Sequence, residues 1–280
     1  MIDVRDATMI YPAPRRYRDC VLRPFHRNGR TALAGVSLTV PAGTCLGVLG
    51  ANGAGKTTLL RLLGGLLYPT CGAVRVGGYD TVRQNAQVRR LVGYVLNEER
   101  SFYWRLTGRQ NLRFFGALDD LAGAALDQRV DDILERVGLA QYGETRVSGY
   151  SSGMRQRLAV ARGLLADPGV LILDEPTRSL DERGTREVHE LLSEAVLATA
   201  DRTVVLSTHD PDEAAERCNL VCVLTCARLT AIAPVAQILS EVGSLREWVN
   251  SARVPLAPAI AGVGDNTLER GPQRPRRRIP

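Results

Sequence analysis

The chain has almost no lysine. Of the 36 Lys and Arg residues, Lys56 is the single lysine and every other one is arginine. A compositional bias toward arginine, such as a GC-rich genome imposes, accounts for most of this, so the one exception invites a local reason. Aromatic residues are also scarce, at 5%. That argues against an aromatic-rich β barrel and for helices packed tightly on a sheet, with Ala, Gly, Leu and Val as filling. Long apolar runs are missing as well: none reaches the roughly 18 residues that a membrane-spanning helix needs. The opening MIDVRDATMIY lacks a basic stretch followed by an apolar one, so no signal peptide is expected. Together these absences predict a cytosolic protein whose membrane role would come through a partner.

Cysteine is present but unpatterned. None of Cys20, Cys45, Cys71, Cys218, Cys222 and Cys226 forms a CxxC pair, and no histidine lies near the last three. Metal binding is therefore not expected, and a reduced compartment is. The spacing of Cys218, Cys222 and Cys226 suits one helix face, but the segment CNLVCVLTCARL reads as β-rich and apolar. Small core residues are the expectation there. The net charge of +6 is uneven. Arg15, Arg16, Arg18, Arg23, Arg27 and Arg30 cluster near the start, and Arg270, Arg274, Arg276, Arg277 and Arg278 at the end. Both clusters are read as solvated loop or tail. The middle is nearly neutral, so a nucleic-acid-binding face is not expected.

Residues 1–11 and 31–49 read as strands around a Pro- and Arg-rich insertion over about 12–30. TTLLRLLGGLL then reads as a helix, and the stretches around GAVRVGG and LVGYVL as short strands. Between about 107 and 138 two amphipathic helices are predicted, with Leu126, Val130, Ile133, Leu134 and Val137 at helical spacing. RQRLAVARGLLA and TREVHELLSEAVLATA read as helices, GVLILDEP and RTVVLSTHD as buried parallel strands. Beyond about 250, Pro, Gly and Arg dominate and an unstructured tail is expected.

Two motifs carry chemistry. GANGAGKT, from Gly50 through Ala51, Asn52, Gly53, Ala54, Gly55 and Lys56 to Thr57, matches the phosphate-binding pattern GxxxxGK[ST] between an apolar strand and a helix. Its glycines let backbone N–H groups turn toward phosphate oxygens, and the helix N-terminus adds partial positive charge. Thr57 is placed to offer a hydroxyl to Mg²⁺, with Thr58 next to it. The second motif is VLILDEP: Asp174 is expected to orient Mg²⁺, and Glu175 is the candidate general base.

With YSSGMRQRLAVARGLL, LILDEPTRSLD and STHD following in this order, residues 1 to about 245 resemble the nucleotide-binding subunit of ATP-binding cassette (ABC) transporters, exporter-like rather than importer-like. The resemblance implies an α/β fold: a P-loop NTPase core with an antiparallel β subdomain and an inserted α-helical subdomain, over about 98–150. It implies a signature loop of Ser151, Ser152, Gly153 and Met154 that acts on ATP held by Lys56 of a second copy or a homologous ATPase subunit. It further implies Asp181 as the D-loop residue, His209 as the switch histidine and Tyr11 as the adenine-stacking aromatic, with Tyr17 a competitor. Catalysis would rest on Glu175, His209 and Lys56, with ATP and Mg²⁺ as cofactors. Asn97 stands where the family usually has the Q-loop Gln that contacts Mg²⁺, and as an amide it is expected to keep that metal contact; Ser152 stands where the family has a glycine, and Ser179 where it has another. Phe102, Tyr103 and Trp104 are expected to dock an integral-membrane permease, which would hold the protein at the inner face of the cell membrane. The alternative implied by Asn97 and Ser152 is a soluble regulatory ATPase with reduced turnover. Members that act on ribosomes or DNA carry tandem cassettes or a long coiled coil, which this sequence lacks.

Overall fold

The structure is a computed structural model, and it describes residues 1–12, 29–95, 102–178, 180–197 and 201–253. In chain order, β1 (Ile2–Pro12), β2 (Gly29–Val40) and β3 (Cys45–Gly50) lead to α1 (Lys56–Leu63). Then come β4 (Cys71–Val76), β5 (Tyr79–Asp80), α2 (Asn85–Leu91) and β6 (Val92–Val95). Three helices follow: α3 (Gly108–Leu118), α4 (Gly123–Arg136) and α5 (Ser152–Leu164). The remaining elements are β7 (Val170–Asp174), α6 (Glu182–Leu191), β8 (Thr203–Thr208), α7 (Pro211–Arg217), β9 (Leu220–Thr225), β10 (Arg228–Pro234), α8 (Val235–Val242) and α9 (Leu245–Arg253).

Two sheets organise these elements. β2-β1-β4-β5 is antiparallel, and β10-β9-β3-β8-β7-β6 is parallel except for the edge strand β10. The span 31–49, expected as one strand, divides between the sheets. Pro41 has no N–H to donate to a ladder, and Gly43 takes φ +69°, so the chain turns there. The central strands β3, β7 and β8 are buried along their whole length, as parallel strands covered on both faces must be. Alternation along them divides the core in two. Leu171, Leu173, Val204 and Leu206 face the layer that holds α4 and α5, while Ile172 and Val205 face α1 and the antiparallel sheet.

α3 begins at a capping box in which the Thr107 hydroxyl accepts from the Gln110 N–H and the Gln110 side chain accepts from the Thr107 N–H. α4 buries Leu126, Val130, Ile133 and Leu134, as its spacing predicts. Helical structure continues past 245 into α9, where Leu245 and Val249 are buried; residues 254–280, on which the expected tail falls, lie outside the described residues. Among the cysteines, Cys218 and Cys222 are core residues as expected, and Cys45 is buried with them. Cys226, in contrast, is exposed in the turn between β9 and β10. Burial without a partner charge pushes the Cys222 thiol up to about 12, so it stays a thiol.

The parallel register sets the position of the site. Leu49 on β3 lies beside Thr208 on β8, and Ser207 lies beside Asp174 on β7. The carboxyl ends of three adjacent strands thus open on one crevice.

Candidate active site

The loop after β3 is shaped by one glycine above all. Gly55 caps α1 at φ +112°, and a Cβ there would sit 2.5 Å from the Ala32 carbonyl oxygen. A side chain at residue 55 is excluded by conformation and by space. Because the cap has no side chain, the first N–H groups of α1 receive no side-chain acceptor, which leaves them for an anion. Lys56 is 5% exposed. Its Nζ donates to the carbonyls of Gly50 at 2.9 Å and Ala51 at 3.4 Å, and pairs with Glu175 Oε1 at 3.2 Å. The compact ammonium has three donors on a thin stem and fills this space, whereas a planar guanidinium is wider and rigid. That is the local reason for the exception in an arginine-rich chain.

Across from it, Asp174 Oδ1 accepts from Ser207 Oγ at 2.7 Å and from Thr57 Oγ1 at 3.3 Å. Glu175 follows in the left-handed region at φ +48°, held there by N–H bonds to the carbonyl and hydroxyl of Ser207. These groups border a cleft of about 350 Å³ lined by Tyr11, Arg30, Asn52, Gly53, Lys56, Thr57, Thr58, Glu175 and Arg178. Tyr11 is half-buried, with its hydroxyl 3.5 Å from that of Thr58, at the cleft edge. Arg30, read from sequence as part of a solvated cluster, instead sits on β2 opposite Tyr11 and faces the cleft.

The other expected site residues lie elsewhere. His209 is exposed just past the end of β8, outside the cleft lining. Ser151 caps α5, its hydroxyl accepting from the Met154 N–H at 3.2 Å, while Ser152 is exposed and Gly153 buried. Asp181 caps α6 through the Gly184 N–H at 2.8 Å. Neither segment lines the cleft of its own chain. Asn97, Tyr17 and Ser179 lie outside the described residues.

The aromatic triplet divides. Phe102 is 6% exposed and packs edge-on against Phe115, so its expected docking role is corrected: it belongs to the core. Tyr103 and Trp104 are exposed, Tyr103 edge-on against the exposed Phe114. The Arg155 guanidinium lies over the Trp104 ring at 5.5 Å and donates to the Tyr150 carbonyl, joining this patch to the base of α5.

One group escaped the sequence reading. Glu213 on α7 is buried and accepts from Thr208 Oγ1 at 2.5 Å and from Thr177 Oγ1 at 3.3 Å, and it pairs with His189 Nε2 at 2.7 Å. Burial opposes its charge, but the bonds from His189 and Thr208 outweigh it and hold the carboxyl below its ordinary range. Glu213 therefore ties the segment after Glu175 to the end of β8, one residue before His209. Its one sequence signal was an acid four residues past that histidine, which reads equally as an ordinary first-turn residue of α7.

A phosphate-binding loop, an acidic strand end and a separate capped serine segment, on a six-stranded mainly parallel sheet flanked by an antiparallel one, define a nucleotide-binding cassette. The profile of the family described as ABC transporter matches residues 33–178, and the chain belongs to that family. The ABC transporter ATP-binding protein NatA of Bacillus subtilis is 39% identical over 190 residues, covering 68% of this chain and 76% of that protein. The daunorubicin resistance ATP-binding protein DrrA3 of Streptomyces coeruleorubidus is 42% identical over 217 residues, covering 78% of this chain and 68% of its own length. Among solved structures, a dimeric ATP-binding cassette in a post-hydrolysis state, bound to ADP and Pi, superposes with a TM-score of 0.71. It is 23% identical and covers 84% of this chain and 99% of its own.

Proposed function

We infer that this chain is an ATP-hydrolysing subunit that closes head to tail on ATP with a second copy or a homologous ATPase subunit and drives a separate membrane permease in export. The observation that carries this is the divided site. Lys56, Thr57, Asp174 and Glu175 converge within one chain, while Ser151 to Met154 form an anion-suited segment that their own cleft does not use. A partner's signature segment completes such a site. The relatives' names, an ATP-binding transporter protein and a drug-resistance ATP-binding protein, support the export reading.

The donor set fits Mg²⁺: the Thr57 hydroxyl and Asp174 carboxylate meet at 3.3 Å and offer only oxygen, which suits a hard cation. When bound, Mg²⁺ neutralises charge on the β- and γ-phosphates. The rest falls to the protein. The loop N–H groups and Lys56 hold the triphosphate, Glu175 accepts a hydrogen bond from the attacking water, and His209 closes on the γ-phosphate when the copies meet. Positioning and electrostatics do most of this work, because the transferred group asks for little covalent chemistry. Tyr11 stands where adenine stacks. Ser152, one ground for reduced turnover, sits in the first turn of α5 without disturbing the Ser151 cap.

Tyr103 and Trp104, with Phe114 against Tyr103, form the face offered to the permease. Among the described residues no helix is long and apolar enough to cross a membrane, so attachment at the inner face of the cell membrane would come through that contact. Phosphate release from Mg²⁺ and ATP by the purified chain tests the reading: it should be present in the natural protein and lost in Glu175→Gln. Release that survives Glu175→Gln would overturn the role of Glu175.

A further inference from the structure

We propose that Arg178 is a positioning residue for hydrolysis: it grips one oxygen of the Glu175 carboxylate and so presents the other to the attacking water. This rests on the reading of Glu175 as the base. Glu175 is bracketed by two cations, one on each oxygen. Lys56 Nζ lies 3.2 Å from Oε1, and Arg178 Nη1 lies 3.0 Å from Oε2. The two contacts differ in what nucleotide does to them. Lys56 is the phosphate ligand of the loop, so ATP draws its ammonium away and Oε1 is released. Arg178 is three residues along the same turn, and its N–H also donates to the Glu175 carbonyl at 3.1 Å. The arrival of phosphate at Lys56 does not break that local tie, so Oε2 stays held.

The backbone of Glu175 is fixed as firmly. Its φ of +48° is unusual for a residue with a Cβ, and both Ser207 acceptors on its N–H hold it there. With the backbone pinned and one oxygen gripped, the carboxylate has lost the freedom to turn. Near-attack geometry depends on that kind of restraint, since a small misplacement of the reacting groups lowers the rate strongly. Asp174 is engaged differently: its Oδ1 serves Ser207 and Thr57. Arg178 also lines the cleft, so the rival role is direct binding of phosphate.

The test uses the full chain, with phosphate release at saturating Mg²⁺ and ATP measured beside binding of a fluorescent ATP analogue. Arg178→Ser should lower kcat by about five- to twenty-fold and leave affinity for the analogue within about twofold. Arg178→Lys should recover part of the rate, because an ammonium keeps the charge but not the planar fork. An unchanged or raised kcat in Arg178→Ser would overturn the proposal, as would a loss of affinity that matches the loss of rate. Glu175→Gln separates the two levels. If it abolishes release while Arg178→Ser does not lower it, only the role of Arg178 falls. If Glu175→Gln leaves release unchanged, the base and its positioning residue fall together.

Discussion

The two proposed halves of the nucleotide site are built in opposite ways. The phosphate loop is closed on itself: Lys56 is buried, bonded to two carbonyls and one carboxylate of its own chain. The signature segment is open, its serines exposed and bound to little beyond their own helix cap. A half that is satisfied internally must exchange contacts to take a ligand, and a half that is left open must wait for one. The difference predicts that changes in the loop act within a single chain, and changes in the signature act on the neighbouring copy.

The largest effect is expected from Lys56→Ala. Removing a preorganised charge from the transferring phosphoryl group should slow steady-state phosphate release by about 10²–10³-fold. Next, Ser151→Arg should slow release by the pair by about ten- to a hundredfold while one chain still binds a fluorescent ATP analogue. Mixing Ser151→Arg with Lys56→Ala should restore part of the rate, because one of the two sites in the mixed pair is then intact. No recovery on mixing would end the claim that the halves come from different chains. Smaller again, Gly55→Ala should lower stability by about 1–3 kcal/mol in denaturant unfolding, since a Cβ would meet the Ala32 carbonyl at 2.5 Å.

Glu213→Gln sharpens the comparison through pH. The folded carboxyl titrates below its unfolded value, so the unfolded chain binds more protons in mild acid. The stabilisation is thus present above the unfolded pKa and is lost as pH falls through the folded one. At pH 7 the variant should be less stable by about 1–3 kcal/mol. The gap in melting temperature should close as the pH drops below the ordinary carboxylate range. The smallest effect is expected from Trp104→Ala: the folding free energy should shift by less than about 1 kcal/mol, because the ring is exposed. Co-purification with the permease should nonetheless weaken, and an unchanged yield would remove Trp104 from the docking face.

What could be read in the sequence divides along physical lines. GANGAGKT and LILDEP were readable because a loop that cradles phosphate and a buried strand that ends in acids each need fixed residue types at fixed spacing. The helices of 107–138 were readable from periodicity, which one face packed on a core dictates. Phe102 and Tyr103 were not separable, because neighbouring aromatics look alike until packing decides which one is enclosed. Arg30 and Arg178 were invisible as site residues for a similar reason. A cation at a strand end or in a turn carries no mark of the cleft it faces, although the spacing of three between Glu175 and Arg178 was there to be noticed. The break of 31–49 into two strands was announced by Pro41 and Gly43, and apolar continuity masked it.

The solitary lysine has a practical meaning. Apart from the chain's own α-amine, Lys56 carries the one primary amine in the sequence, and it sits where the phosphates bind. Reagents that acylate amines ignore guanidinium groups, so the dozens of arginines stay silent. An amine-directed label on this protein therefore has two addresses, the exposed α-amine and Lys56, and occupancy of the proposed nucleotide cleft can be followed as protection of the second.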